Sequence, residues 1–402
     1  MTLASKSVIL LLVRFWIASS NALLALVARV LFWHSPSGHP HRVLVIREGY
    51  IGDLLVTIPA LAHLRPIGKS EPSIALLTHA TSISDGKPSS PAAELLRDWG
   101  LITTVIYSQT RLGREARQNV MEFKAERAVF LRFTSVPFSS LLFQLVRLRL
   151  IGVKVRPEGC YMQSMAGAIQ NLQYDAGLIA HQAVSALEVV DSSASLARRK
   201  SMPPLPVLSR ARDAVSAVMT LVGDRPIIVL GCSAKYWHKR WPLASYRKVV
   251  NSVATRHDVA WAIAGTADDA EIAAEMERST NAFTINACGK FRLAEMAELV
   301  RMSSLYVGND TGLAHLGASL GVPTVTLFSG IHPPGIWEPW SERNVTLRSA
   351  VSCQWCRCEY ACPVGDKRCL TAIAPERVIE SIEAALLSSL QYSSTLRART
   401  RG

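Results

Sequence analysis

Residues 306–330 read YVGNDTGLAHLGASLGVPTVTLFSG, and the turn residues in this stretch decide the fold. An apolar, β-prone run at 305–307 ends in Gly308-Asn309-Asp310, which turns the chain. The pattern predicts a helix from about Thr311 to Leu320, closed by Gly321 and Pro323, and a second strand over 324–328. A helix that begins just past the C-terminal end of a strand is where α/β sheets bind ligands. The N–H groups of its first turn and the positive end of its dipole suit a phosphate. Asp310 and Thr311 are good caps, and His315 falls one turn in, on the face above them. Taken singly these features are ordinary. An Asn-Asp-Thr-Gly turn usually just caps a helix, and a lone helix histidine usually packs.

Outward from this stretch the same strand–loop–helix grammar recurs. RVLVIR at 42–47 is an apolar run suited to a buried parallel strand. It is followed by a loop at 48–52 and a helix from about Asp53 to Leu64. No G-x-G-x-x-G follows the strand, so a dinucleotide site is not supported. Further strands are predicted at 73–78, 103–107 and 128–131, with helices at 92–99, 114–124 and 139–151. The Pro-rich MPPLP at 202–206 marks a domain boundary. Beyond it, strands at 226–230, 259–264 and 283–286 and a helix at 292–302 lead into the opening stretch. An amphipathic helix follows at 375–390, with Pro at its start. The expected organisation is an apolar helix over 1–33, a linker at 34–41, one Rossmann-like domain over 42–201, the 202–206 linker, a second such domain over 207–390, and a basic, disordered tail at 391–402.

A chain of 402 residues is long enough for two domains with separate cores. Hydrophobic residues at 49% against 19% charged exclude a disordered polypeptide. The net charge of +13 favours an anionic partner. Basic residues are scattered without interleaved aromatics, so no nucleic-acid module is read and no nucleic-acid partner is expected. A membrane surface together with a phosphorylated substrate fits better, with solubility as the plainer account of the charge. Five of the eight cysteines crowd into residues 353–369, which is not the framework of a small secreted protein and points to a reducing compartment.

The first segment, VILLLVRFWIASSNALLALVARVLFW at 8–33, is apolar but interrupted. Its longest uncharged run falls short of the roughly 20 residues that span a bilayer, and Arg14 would be costly inside one. At helical spacing Ser7, Arg14, Ala18, Asn21, Ala25, Ala28 and Arg29 form one stripe, with large apolar residues elsewhere. That suits a helix lying in the membrane interface, with a single transmembrane anchor as the alternative.

Near the other end, Cys353, Cys356, Cys362 and Cys369 give C-x2-C-x5-C-x6-C. Four thiols so spaced suit a structural Zn²⁺, though the spacing is not that of a standard finger; buried reduced thiols are the alternative.

The stretch NDTGLAHLGASLGVPTVTLF resembles the nucleotide-sugar-binding signature of glycosyltransferase family 9, the lipopolysaccharide heptosyltransferase family. Two further motifs carry the resemblance. I-G-D at 51–53 follows the first strand, and Lys239-Arg240-Trp241-Pro242 follows the strand at 226–230. The cysteine segment is similar to one in the subgroup that adds the second core heptose, with Cys358 as an extra. The resemblance runs from about residue 42 to 385. It implies a GT-B architecture, two Rossmann-like doubly wound domains facing a cleft, and a metal-independent, inverting glycosyltransferase. By it Asp53 is the general base, although a helix cap is the alternative reading of that residue. Ser233, Lys239, Asp310, Thr311, Gly312 and His315 bind the donor. Arg111 and Arg132 are candidates for an anionic glycolipid acceptor. No D-x-D motif stands in a donor site, and no cofactor is required. The implied reaction transfers a heptose from ADP-heptose to lipopolysaccharide core at the cytoplasmic face of a bacterial inner membrane. Two alternatives are transfer of another nucleotide-sugar for O-antigen or capsule and a non-catalytic membrane-bound scaffold. Against the scaffold stands the joint presence of Asp53, Lys239 and Asp310, which packing alone does not require.

Overall fold

The computed structural model describes residues 3–32, 40–65, 72–85, 87–108, 114–131, 137–162, 168–191, 200, 202–358 and 360–399. Arg111, Arg132 and most of the 34–41 linker lie outside the described residues. The chain divides into two compact units, Met1–Arg199 with Gly335–Trp337, and Lys200–Pro334 with Glu338–Gly402.

The first unit runs α1 (Leu3–Leu31), β1 (Arg42–Ile46), α2 (Ile51–Leu55), α3 (Ile58–His63), β2 (Ser73–Thr78), β3 (Ser82–Ser84), β4 (Lys87–Ser89), α4 (Pro91–Asp98), β5 (Thr104–Tyr107), α5 (Arg114–Phe123), β6 (Arg127–Phe130), α6 (Phe138–Leu150), β7 (Pro157–Glu158), α7 (Ala168–Asp175) and α8 (Gln182–Val190). Its five-stranded sheet has the order β5-β2-β1-β6-β7, and every pairing is parallel. Strand order reverses at β1, so the crevice between the ends of β1 and β6 is where such a sheet offers a site. β1 and β2 are buried almost throughout, as their unbroken apolar runs require of strands covered on both faces. Ser90 and Pro91 start α4 in the expected way, the serine side chain accepting the Ala93 N–H at 3.5 Å.

The second unit runs α9 (Ser209–Ala214), α10 (Ser216–Val222), β8 (Ile227–Gly231), α11 (Leu243–Ala254), β9 (Ala260–Ile263), α12 (Ala270–Ser279), β10 (Phe283–Asn286), α13 (Leu293–Met302), β11 (Leu305–Asn309), α14 (Gly312–Ser319), β12 (Thr324–Leu327), β13 (Asn344–Leu347), α15 (Arg368–Thr371) and α16 (Pro375–Arg399). Its sheet is again all parallel, in the order β10-β9-β8-β11-β12-β13. Numbered within the unit, that is the 3-2-1-4-5-6 order of dinucleotide-binding folds, with the switch point between β8 and β11. Trp241, Tyr246, Trp261 and Val325 fill the core, and Ile382 of α16 closes it from outside. Gly321, at φ +72, ends α14 in the left-handed conformation that only glycine adopts without strain.

Two differences from the sequence reading stand out. The short strand β13 (NVTL) has too weak a pattern to be read alone. The final helix continues to Arg399, through residues that composition assigned to a tail. No Gly or Pro occurs at 391–399 to stop it, and Leu396, Arg397 and Ala398 favour its continuation.

Candidate functional site

In the second unit the loops that leave β8 and β11 are tied together by one side chain. Asn309, the last residue of β11, is fully buried. Its Oδ1 accepts the backbone N–H of Trp241 and the hydroxyl of Tyr246, each at 3.0 Å. Its Nδ2 donates to the carbonyls of Ser233, 3.3 Å, and Gly231, 3.5 Å. The loop after β8, the Lys239–Trp241 turn and the start of α14 are thereby fixed around one point. Glycines make the approach possible. A Cβ on Gly308 would stand 2.5 Å from the Gly231 carbonyl oxygen, and one on Gly231 would stand 2.3 Å from the Tyr306 hydroxyl.

Around this point lie most of the residues expected to bind the donor. Lys239 Nζ meets Asp310 Oδ2 at 3.3 Å, both side chains mostly buried. Thr311 is the extended N-cap of α14, with no hydrogen bond from its side chain to the helix amides; its Oγ1 lies 3.4 Å from the Tyr306 hydroxyl. Gly312 begins the helix and is partly exposed. The first turn of a helix leaves N–H groups without intrahelical partners, so this end can receive an anion beside an ammonium. His315 lies one turn in and is buried, 6% exposed. Ser233 sits at the same loop, but its hydroxyl donates to the Asp269 carboxylate. Asp269 also accepts the Thr266 N–H and hydroxyl at 2.8 and 2.9 Å, so this acid caps the turn into α12 and anchors Ser233. In this arrangement the serine's proton is directed to a carboxylate.

The cysteine segment supports this site from beneath. Lys367 Nζ donates to the Arg240 carbonyl at 2.8 Å and the Trp237 carbonyl at 3.5 Å, holding the turn that carries Lys239. Trp241 Nε1 donates to the Ile373 carbonyl at 3.2 Å. Cys353, Cys356, Cys358, Cys362 and Cys369 line one cavity of about 20 Å³ with His238. The four spaced thiols therefore converge. Among the described residues, no three His, Cys, Asp or Glu side chains are placed close enough to hold a metal ion as they stand. Burial raises the Cys369 and Cys356 thiols. Burial also acts to raise Cys362, but the N–H groups of Lys367, Val364, Gly365 and Asp366 point at its sulfur and bring it below the usual thiol value.

In the first unit Asp53 lies in the first turn of α2, past the end of β1, and is half-buried. Its Oδ2 accepts the Tyr50 N–H at 2.7 Å. The loop wraps so closely that a Cβ on Gly49 (φ +153) would sit 2.2 Å from Asp53 Cβ. Arg47, buried at the end of the strand, donates from Nε to the Asp53 carbonyl and from an Nη to the Leu131 carbonyl, each at 3.0 Å. It thus bridges the loops after β1 and β6 at that sheet's switch point. Burial lowers the Arg47 pKa to about 10, with the Asp53 carboxylate opposing the fall, so the guanidinium stays charged at neutral pH. Arg147 is taken up by Glu48 at 2.7 Å.

Sequence reasoning passed over Asn309, Tyr246 and Arg47. The available signal was a polar residue closing an apolar run directly before a site loop: Asn309 ends β11, and Arg47 follows Ile46, the last residue of β1; Tyr246, inside α11, carries no such signal.

The family model for glycosyltransferase family 9 (heptosyltransferase) matches residues 164–365, half of the chain. Lipooligosaccharide heptosyltransferase 2 of Campylobacter jejuni is 26% identical over 216 residues, covering 52% of this chain and 65% of that protein. The chain spans less than two thirds of the length of the curated relatives it matches. Among solved structures, the ADP-heptose LPS heptosyltransferase II of E. coli superposes with a TM-score of 0.61 at 20% identity, covering 86% of this chain and 99% of that one. A glycosyl transferase family 9 protein of Veillonella parvula gives 0.65 at 18% identity, covering 87% and 98%. These likenesses show the two-domain GT-B fold.

Proposed function

The chain belongs to glycosyltransferase family 9, the heptosyltransferase family, and from that premise we propose that it transfers a heptose from ADP-heptose to lipopolysaccharide core or a related glycolipid, with inversion at the anomeric carbon. The observation that carries the reading is the convergence of Lys239, Asp310 and the α14 N-terminus at the switch point of the second sheet. A nucleoside diphosphate-sugar needs such a place, where an ammonium and helix amides meet the diphosphate.

In the proposed reaction Asp53 takes the proton of the acceptor hydroxyl as its oxygen attacks the anomeric carbon. The bond from that carbon to the diphosphate breaks, and ADP leaves with the electron pair. The charge it gains is met by Lys239 and by the first N–H groups of α14. Asp310 aims the ammonium, and its own charge sits well at the helix N-terminus. Asp53 is held for its part by the Tyr50 N–H, which its Oδ2 accepts at 2.7 Å, and by the buried Arg47, which donates to its backbone carbonyl at 3.0 Å.

The test is a calorimetric titration with ADP-heptose, and with GDP- and UDP-sugars as controls. Selective binding of ADP-heptose, lost in Lys239→Ala, is the expected result. Preference for another nucleotide-sugar keeps the mechanism and replaces the substrate. No binding of any donor overturns the proposal.

A further inference from the structure

α1 is long and apolar enough to cross a membrane by length and composition. One of its faces is nevertheless already used. Val13, Ser20, Leu24, Ala28 and Phe32, at helical spacing, are buried. Leu24, Ala28 and Phe32 belong to the core of the first unit, with Leu44 of β1 and Leu141 and Leu145 of α6. Asn21 is tied to the backbone of Met162 in both directions. Its Nδ2 donates to the carbonyl at 2.9 Å, and its Oδ1 accepts the N–H at 2.6 Å. Drawing α1 into a bilayer would strip that core and break both bonds. Only the turns before Val13 remain, about ten residues, which at ~1.5 Å each reach about half of a ~30 Å hydrocarbon layer.

The opposite face is apolar and open. Leu11, Leu12, Leu26 and Val30 are exposed by 58–68%, Phe15 by 73% and Trp16 by 42%. α6, packed beside α1, exposes Phe143 and Leu150 as well. Neither helix contains an Asp or Glu, and exposed Arg14 and Arg29 flank the apolar face of α1. An apolar face with aromatics, flanked by arginines and free of acids, matches an anionic lipid surface. A second copy packed on this face would set arginine against arginine with no acid on either helix to answer them.

We propose that α1 is a built-in, non-spanning helix whose outer face seats the first unit on the surface of an anionic bilayer. The assignment deepens the proposed function, whose glycolipid acceptor resides in a membrane, but its test does not depend on transfer. The full chain is floated with phosphatidylcholine vesicles prepared with and without phosphatidylglycerol. Wild-type protein is expected to float with the anionic vesicles, to float poorly with the neutral ones, and to be stripped by alkaline carbonate. Phe15→Glu combined with Leu26→Glu is expected to cut flotation at least tenfold, while Leu221→Glu, an exposed apolar site of the second unit, leaves it unchanged.

Folding of the double variant is checked by circular dichroism. Should it not fold, the lipid and carbonate results on wild-type protein decide. Absence of flotation, flotation unchanged in the folded double variant, or resistance to carbonate overturns the proposal. So does a vesicle-free dimer that the double variant dissolves without any flotation of wild-type protein. Flotation without ADP-heptose binding overturns the functional proposal and leaves this one standing.

Discussion

Asn309 accepts the Trp241 N–H at 3.0 Å, and through that bond the end of β11 sets the position of the turn that carries Lys239. The asparagine is fully buried and also serves Tyr246, Ser233 and Gly231, so its removal strands several groups at once. Each buried polar group left unsatisfied costs roughly 1–3 kcal/mol. Asn309→Ala should therefore lower the urea midpoint and weaken ADP-heptose binding together. Tyr246→Phe removes one of the bonds and leaves the turn tied, so it should cost stability with little change in donor affinity. Equal losses of donor affinity in the two variants would contradict a positioning role for Asn309. Unfolding curves read beside calorimetry separate these outcomes.

Lys239 and Asp310 form a pair that is mostly buried, and the two ends have unequal work. Lys239→Ala takes away the cation that faces the diphosphate and should weaken donor binding at least tenfold, or about 1.4 kcal/mol. Asp310→Asn keeps shape and hydrogen bonding but not the charge that aims the ammonium, so its loss should be smaller. If Asp310 acts through Lys239, the double variant should bind about as weakly as Lys239→Ala alone. Additive losses would mean that Asp310 touches the donor independently.

Much of this site is legible in the sequence because its parts are local. Gly308 through Pro323 carry turn, cap and stop signals within one strand–helix–strand unit, and the structure places those elements within a residue or two. The place of Asp53 in the first turn of the helix after β1 is legible for the same reason, while its role as base is what the family resemblance implies. Asn309, Arg47 and Lys367 act through partners tens of residues away, and no local pattern encodes such a contact. Ser233 shows the converse. Its type and place after β8 fit a phosphate ligand, but Asp269, distant in sequence, takes its hydroxyl. The faces of α1 were ambiguous because its small and polar stripe runs along the edge of the face that packs on the protein, as Asn21 and Ala28 show.

The cysteines should separate by reactivity. Burial, with each thiol or a nearby acid adding to it, pushes Cys232 and Cys288 up to about 12, whereas four backbone N–H groups hold Cys362 below the ordinary thiol value. Since the thiolate is the nucleophile, iodoacetamide should label Cys362 first as pH is raised, and Cys232 and Cys288 last. Peptide mass spectrometry over a pH series reads the order. The sign for stability follows from the same shift. A depressed folded-state value contributes stability above the unfolded thiol pKa, and that contribution fades as pH falls through the folded one. Early labelling of Cys232 would show that its cover opens readily.

Asp53 offers the sharpest test because its carboxylate has two separable tasks, capping the Tyr50 N–H and accepting a proton. Asn at this position keeps an oxygen for the Tyr50 N–H but cannot serve as a base. Asp53→Asn should therefore unfold like wild type and bind ADP-heptose with unchanged affinity. Its transfer rate should fall by about 10²–10⁴, the usual contribution of a positioned general base. Asp53→Ala loses the cap as well and should add a stability loss of about 0.5–2 kcal/mol. The comparison is made by single-turnover transfer assays beside thermal melts. A transfer rate for Asp53→Asn near that of wild type would assign the residue to the turn alone and remove it from the chemistry.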